Sequence, residues 1–256
     1  MTGALVALGV VVGLVAGSFV NVVVYRVPRG GSVIRPRSAC PGCGHEIRFR
    51  DNVPVLSWLL LRGRCRDCRT GISLRYPLVE AGTAAGFAGL ALLLGASWAL
   101  PGYWWAAGVA IALTLTDLDV RRIPDRILLP GAVMTAVLLG LGATGDGEPM
   151  AAVRAAGGGA AYFGLLLVVA LAARGGFGFG DVKLGVLLGM VLAYRSWGVL
   201  AVGAFASFAL GGLAAIALLA TRRAKRKDAI PFGPAMVAGA ALALVWGEAV
   251  VRWYAG

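Results

Sequence analysis

Charge is what this sequence has least of. Only 14% of its 256 residues are Asp, Glu, Lys or Arg, where soluble domains carry roughly 25%. That shortage excludes an ordinary soluble domain. Phosphate-binding chemistry has little to stand on, because no G-x-x-x-x-G-K-[ST] loop occurs. No basic segment precedes the first apolar run; its positive charge follows, at Arg26 and Arg29. Residues 1–25 therefore do not read as a typical cleavable signal peptide, but as an uncleaved first span. The two halves show no inverted repeat of the kind that marks many transporters. Histidine occurs once, at His45, and the cysteines number four.

What is present is apolar length. The chain is 59% hydrophobic, with 39 glycines. Stretches of about 20 apolar residues recur, each able to span a bilayer as a helix. Eight are legible, at about 4–25, 76–96, 102–119, 127–144, 151–173, 182–195, 197–220 and 230–251. The sixth is short. The predicted fold is an all-α polytopic integral membrane protein with about eight transmembrane helices and a small cytoplasmic insertion. Residues 1–25 form the first helix, 26–75 the insertion and 76–256 the remaining membrane domain.

The bases support this count. They gather in alternate loops: eleven arginines in 26–75, then Arg121, Arg122 and Arg126, then Arg174 and Lys183, then Arg222, Arg223, Lys225, Arg226 and Lys227. The opposite links hold little more than Arg154 and Arg195. The positive-inside bias puts the basic loops in the cytoplasm and both termini outside. The net charge of +12 suits anionic lipid on the cytoplasmic face. The bases are dispersed along membrane loops, which argues against nucleic acid as a partner.

All four cysteines fall in the insertion, as Cys40-Pro-Gly-Cys43 and Cys65-Arg-Asp-Cys68. Two C-x-x-C knuckles at this separation have the spacing of a four-cysteine zinc site. A reducing compartment disfavours structural disulfides. Arginines around the second knuckle favour thiolates, and so small and polar an insertion needs a metal for much of its stability. Free thiols or a redox pair are the competing readings. His45 reads as a surface residue. The apolar stretch 53–61 is too short to span and reads as re-entrant or interfacial, with Trp58 at headgroup level.

Two acids stand where a charge is expensive. Asp117 follows the apolar run 107–116, and Asp181 closes Gly178-Phe-Gly-Asp181 just before the run 182–194. A charge at membrane depth costs at least about 2.5 kcal/mol and normally faces a bundle interior with a task. Two such acids on different helices, able to share a proton, are the minimal equipment of an aspartic protease. Asp119 lies two residues from Asp117 and points to another face of the helix. Asp125 is expected to cap a helix or pair with Arg121 or Arg122. Glu80 is expected in a first helical turn, complementing the dipole, and Glu248 in solvent. A proton or ion relay in a transporter is the rival class, and a non-catalytic assembly scaffold the third.

Taken together these residues carry a resemblance. Gly17-Ser-Phe-Val-Asn-Val-Val-Val-Tyr-Arg-Val-Pro28 comes first. The two C-x-x-C pairs follow, around Asp51-Asn-Val-Pro-Val-Leu-Ser-Trp58. Then come Arg75-Tyr-Pro-Leu-Val-Glu80, Asp117 with Arg122-Ile-Pro-Asp125, Gly178-Phe-Gly-Asp-Val-Lys183 and Ile230-Pro-Phe-Gly-Pro234. In this order, over nearly the whole chain, they resemble the bacterial prepilin leader peptidases, or type IV leader peptidases. The resemblance implies an inner-membrane aspartic peptidase of the G-x-G-D type. Its catalytic pair would be Asp117, six residues before the Ile of the I-P pair, and Asp181. The implied substrate is a prepilin or pseudopilin with a basic leader, a small residue before the cut and an apolar helix after it. Members with the cysteine-bearing loop often also methylate the new N-terminus from S-adenosylmethionine.

Overall fold

The computed structural model describes residues 2–173, 178–222 and 231–255. The basic residues Arg174, Arg223, Lys225, Arg226 and Lys227, and Ile230 of the last motif, lie outside the described residues. Among the described residues the chain is helical, with no strand beyond two isolated bridges. It divides into two compact units, Met1–Ala96 and Ser97–Gly256.

In the first unit α1 (Thr2–Arg26) packs along α3 (Arg75–Leu94). Gly9, Gly13 and Gly17 recur every fourth residue and face the partner helix. A β-carbon at Gly13 would sit 2.6 Å from Ala84 Cα, and one at Gly17 2.7 Å from Glu80 Cα. Such spacing brings two backbones close where lipid offers no hydrophobic drive to associate. Larger side chains at these positions would force the pair apart. The insertion between the two helices holds a short helix, α2 (Leu56–Leu60). Trp58 anchors the insertion internally: its Nε1–H donates to Ile72 O at 3.0 Å, and its ring lies over Gly63, whose φ of 65° suits glycine.

The second unit contains α4 (Leu100–Val120), α5 (Asp125–Gly145), α6 (Pro149–Ala172), α7 (Phe179–Arg195), α8 (Trp197–Ala220) and α9 (Gly233–Ala255). Its centre is α7, which packs against all five others. Every residue from Leu187 to Tyr194 is buried. The α6–α7 contact is a glycine seam: a β-carbon at Gly189 would collide with the Gly158 carbonyl. Tyr103 of α4 reaches across to donate to Val191 O at 3.0 Å and meets the Tyr194 ring edge-on.

The eight long helices coincide with the eight apolar stretches. By length and composition alone six of them can cross a membrane; α4 and α7 are not among these. The reason is local: α4 carries Pro101, Tyr103, two tryptophans and two aspartates, and α7 has 17 residues, under the roughly 20 that a crossing needs. Outward-facing apolar side chains such as Phe205, Leu213 and Ile216 of α8 have no use in water and fit a lipid environment. The protein is a multi-pass membrane protein.

Candidate active site

Asp117 occupies the last full turn of α4. The helix stops one turn later at Arg121, whose left-handed backbone (φ 52°) lets its N–H close on Asp117 O at 2.8 Å. Pro124 then forces Ile123 out of helical conformation and starts α5 at Asp125. Asp181 lies in the first turn of α7, after Gly178 at the cap position. Its carboxylate folds back over the cap, so that a β-carbon at Gly178 would sit 2.9 Å from Oδ2.

The fold brings these two carboxylates together. Asp117 is 6% exposed and Asp181 9%, and they lie close enough for the charge of one to act on the other. Ile123 is the wedge between their supports. A β-carbon at Gly180 would stand 2.9 Å from Ile123 Cβ, and one at Gly233 3.5 Å from Ile123 Cδ1 and 3.0 Å from Asp117 Oδ2. That oxygen is enclosed yet has no hydrogen-bond partner among the described residues. The Gly233 backbone N–H is near enough to act on the Asp117 carboxylate.

The other acids are placed elsewhere. Asp119, on the same helix, is exposed. Asp125 neither caps α5 nor pairs with Arg121 or Arg122; it accepts both hydrogen bonds of Lys183 Nζ, at 2.7 and 2.8 Å. Sequence reasoning missed this pair because its members are 58 residues apart. Glu80 lies in the second turn of α3, not the first, since the helix starts at Arg75. It is buried, and Val55 N–H donates to it at 2.7 Å. Glu248 is held by Arg195 at 2.6 and 3.0 Å rather than solvated freely. Ile123 and Gly233 are site residues that no charge or spacing announced; the I-P and P-F-G-P stretches were the only signal.

In the first unit the two knuckles are built alike. An isolated bridge flanks each, Ala39 with Glu46 and Arg64 with Gly71. Each turns back through a left-handed residue, Gly44 (φ 73°) and Arg69 (φ 61°). The four sulfurs lie within 4.8 Å of one another, Cys40 and Cys68 at 3.6 Å. Thiolates about 2.3 Å from one tetrahedral zinc ion stand roughly 3.8 Å apart, so the donors fit a metal of that size and preference. The thiols are unequal. Hydrogen bonding with Thr70 pulls Cys68 down to about 6. The His45 backbone lowers Cys43, but burial and the three neighbouring sulfurs outweigh it and push it up to about 12. Four thiolates at this spacing need a cation among them. Beside them the Arg66 guanidinium grips Asp51 through bonds of 2.6 to 3.0 Å and holds its carboxyl below the usual range.

Comparison with known proteins returns one family. The model of the bacterial peptidase A24 N-terminal domain matches residues 11–94, and that of the type IV leader peptidase family matches residues 104–217. An Aeromonas hydrophila protein named prepilin leader peptidase/N-methyltransferase is 34% identical over 94% of this chain and 90% of its own length. Proteins of the same name from Pseudomonas aeruginosa (33%, over 96% and 91%) and Burkholderia pseudomallei (37%, over 96% and 87%) align as fully. No solved structure matches the chain.

Proposed function

The chain belongs to the type IV leader peptidase family, and from that membership we propose that it is a membrane aspartic endopeptidase removing the basic leader of type IV prepilins or pseudopilins, with Asp117 and Asp181 as its catalytic pair. The observation that carries the assignment is the meeting of two buried carboxylates from α4 and α7 around Ile123. Two adjacent carboxylates cannot easily both ionise, so one is charged while the other holds a proton. The charged one draws a proton from water as it attacks the scissile carbonyl. The protonated one donates to the carbonyl oxygen and, as the tetrahedral state collapses, a proton passes to the leaving amine. The proton relay of a transporter has no support from the comparisons.

We place the cut at the cytoplasmic face of the inner membrane, with both termini outside. The support is the gathering of Arg and Lys in alternate loops. Basic loops do not attract a basic leader, so recognition rests on the apolar helix after the cut and the small residue before it. The four cysteines hold zinc as a structural ion, a reading supported by sulfur spacing and thiolate chemistry. The relatives' names include N-methyltransferase, and we extend that activity to this chain, with S-adenosylmethionine as donor.

The test is cleavage of a prepilin by aspartate variants. Asp117→Asn and Asp181→Asn each remove one proton role and should each lower turnover by at least about 10²-fold with the fold intact. Asp119→Asn should retain most activity. An inactive Asp119→Asn beside an active Asp117→Asn would overturn the pair.

A further inference from the structure

The short helix α2 carries its leucines on the outside. Leu56, Leu59 and Leu60 stand at i, i+3 and i+4, which puts them on one helical face. They are 52%, 58% and 73% exposed. The opposite face is used inside the insertion. Ser57 is buried and its hydroxyl donates to Arg50 O at 3.1 Å, while Trp58 turns inward to Ile72. Sequence reasoning set Trp58 at the headgroup level; the fold gives the outward face to the leucines instead. A contiguous apolar patch of this kind on a small polar loop marks a contact surface.

Two features say what covers it. The first is position. The Val55 N–H, one residue before α2, donates to Glu80 at 2.7 Å. Glu80 lies five residues into α3, about 8 Å along its axis. So α2 starts beside the first two turns of a helix long and apolar enough to cross a membrane, where Tyr76 and Leu78 also face outward. The second is charge. Residues 26–75 hold eleven arginines against three acids. Each acid is already matched: Glu46 by Arg37, Asp51 by Arg66 and Asp67 by Arg48. Arg62 and Arg64, just after α2, are exposed and form no ion pair among the described residues. An apolar helical face bordered by unmatched arginines complements a leaflet that is apolar within and negative at its surface. A pilin-like helix with a basic leader would satisfy the leucines but repel the arginines.

We propose that α2 is a membrane foot: Leu56, Leu59 and Leu60 enter the acyl boundary of an anionic leaflet, and Arg62 and Arg64 bind its headgroup phosphates. The guanidinium fork matches a phosphate group in shape as well as charge. The consequence reaches the cysteine cluster. Cys65 is the next residue after Arg64, so anchored arginines hold the second knuckle at the membrane surface. Arg64 N–H also donates to Leu61 O at 3.2 Å, which ties the arginine to the end of the foot. The proposal requires only that α1 and α3 span the membrane, and it stands apart from both the peptidase and the methyltransferase readings.

The experiment places an indole on the face with Leu60→Trp, in the purified full chain held at one chain per lipid nanodisc. Discs are made of phosphatidylcholine alone or with about one third phosphatidylglycerol, and with or without bromine on the upper acyl chain. Emission of the wild-type tryptophans is subtracted. Metal content and unfolding temperature report folding; if Leu60→Trp does not fold, Leu59→Trp on the same face replaces it. In anionic discs bromine should quench the added indole by about half or more, and acrylamide in the water should barely reach it. Omitting phosphatidylglycerol, or adding Arg62→Gln with Arg64→Gln, should cut the bromine quenching roughly twofold or more. Equal quenching in both lipids overturns the anionic partner. An indole open to acrylamide and untouched by bromine overturns the foot. One that closes to acrylamide only when prepilin is added gives the face to the substrate and overturns the lipid. One that neither quencher reaches is covered by the chain itself, which overturns the proposal as well.

Discussion

Gly180→Ala isolates the geometry of the aspartate pair from its chemistry. The added methyl carbon would lie 2.9 Å from Ile123 Cβ, 3.5 Å from Cγ1 and 3.6 Å from Cδ1. Carbon atoms rest comfortably at about 3.5–4.0 Å, so the first contact is short by up to roughly 1 Å. Ile123 has little room to yield. Pro124 fixes its backbone conformation, and its far end already lies against Gly233. The start of α7 must therefore move, and Asp181 is the next residue. A displacement of about 1 Å in a reacting group costs on the order of 10²-fold in turnover. Stability should change far less. Overpacking costs about 1–3 kcal/mol, and replacing a helical glycine returns up to about 1 kcal/mol. Gly164→Ala in α6 is the control, because nothing lies within 4 Å of its added carbon. Prepilin cleavage and unfolding temperature would be measured on both. The expectation is a nearly inactive, folded Gly180→Ala and an active Gly164→Ala. Adding Ile123→Gly to Gly180→Ala should recover roughly tenfold, since it removes the Cβ that the new methyl meets. A Gly180→Ala protein that cleaves within about threefold of wild type would refute the wedge argument.

The metal and the ion pair beside the site give two further outcomes. Purified protein should hold about one zinc ion per chain. Chelation, or Cys65→Ser, should release it and open residues 26–75 to protease while the aspartate pair keeps part of its cleavage activity; retention should fail as pH falls, because protonated thiols do not ligate. Lys183 and Asp125 join the starts of α7 and α5. With side chains 28% and 52% exposed, breaking the pair should cost at most about 1 kcal/mol of stability, yet Lys183→Ala should lower turnover by roughly three- to tenfold through Asp181 two residues away. The exchange Lys183→Asp with Asp125→Lys should recover most of that loss; no recovery would mean that the lysine acts by itself.

Local signals made much of this molecule legible in sequence. Apolar length located the eight long helices of the described residues to within a few residues, but only six of them are long and apolar enough to cross a membrane, because a crossing helix must satisfy its own backbone and so needs a long uninterrupted run. The C-x-x-C pairs predicted a cluster that the fold assembles, since each knuckle sets its own turn. The aspartates were found because charge is conspicuous against so apolar a chain. What stayed hidden was everything that depends on two distant segments meeting. Glu80 looked like a dipole partner because nothing near it in sequence hints at Val55, and Asp125 looked like a cap because its lysine lies in another helix. Ile123 was marked only as the Ile of the I-P pair, and its role stayed hidden for a deeper reason. That role is volume, filling the gap between Gly180 and Gly233, which no charge in the sequence announces. The glycines opposite it are the complement of that volume. A glycine whose β-carbon would meet a neighbour at 3 Å or less records a close approach, and in α1, in the α6–α7 seam and around Ile123 that is its meaning. In so glycine-rich a chain the sequence displays where backbones come close but not against what, and the carboxylate pair depends on that second half.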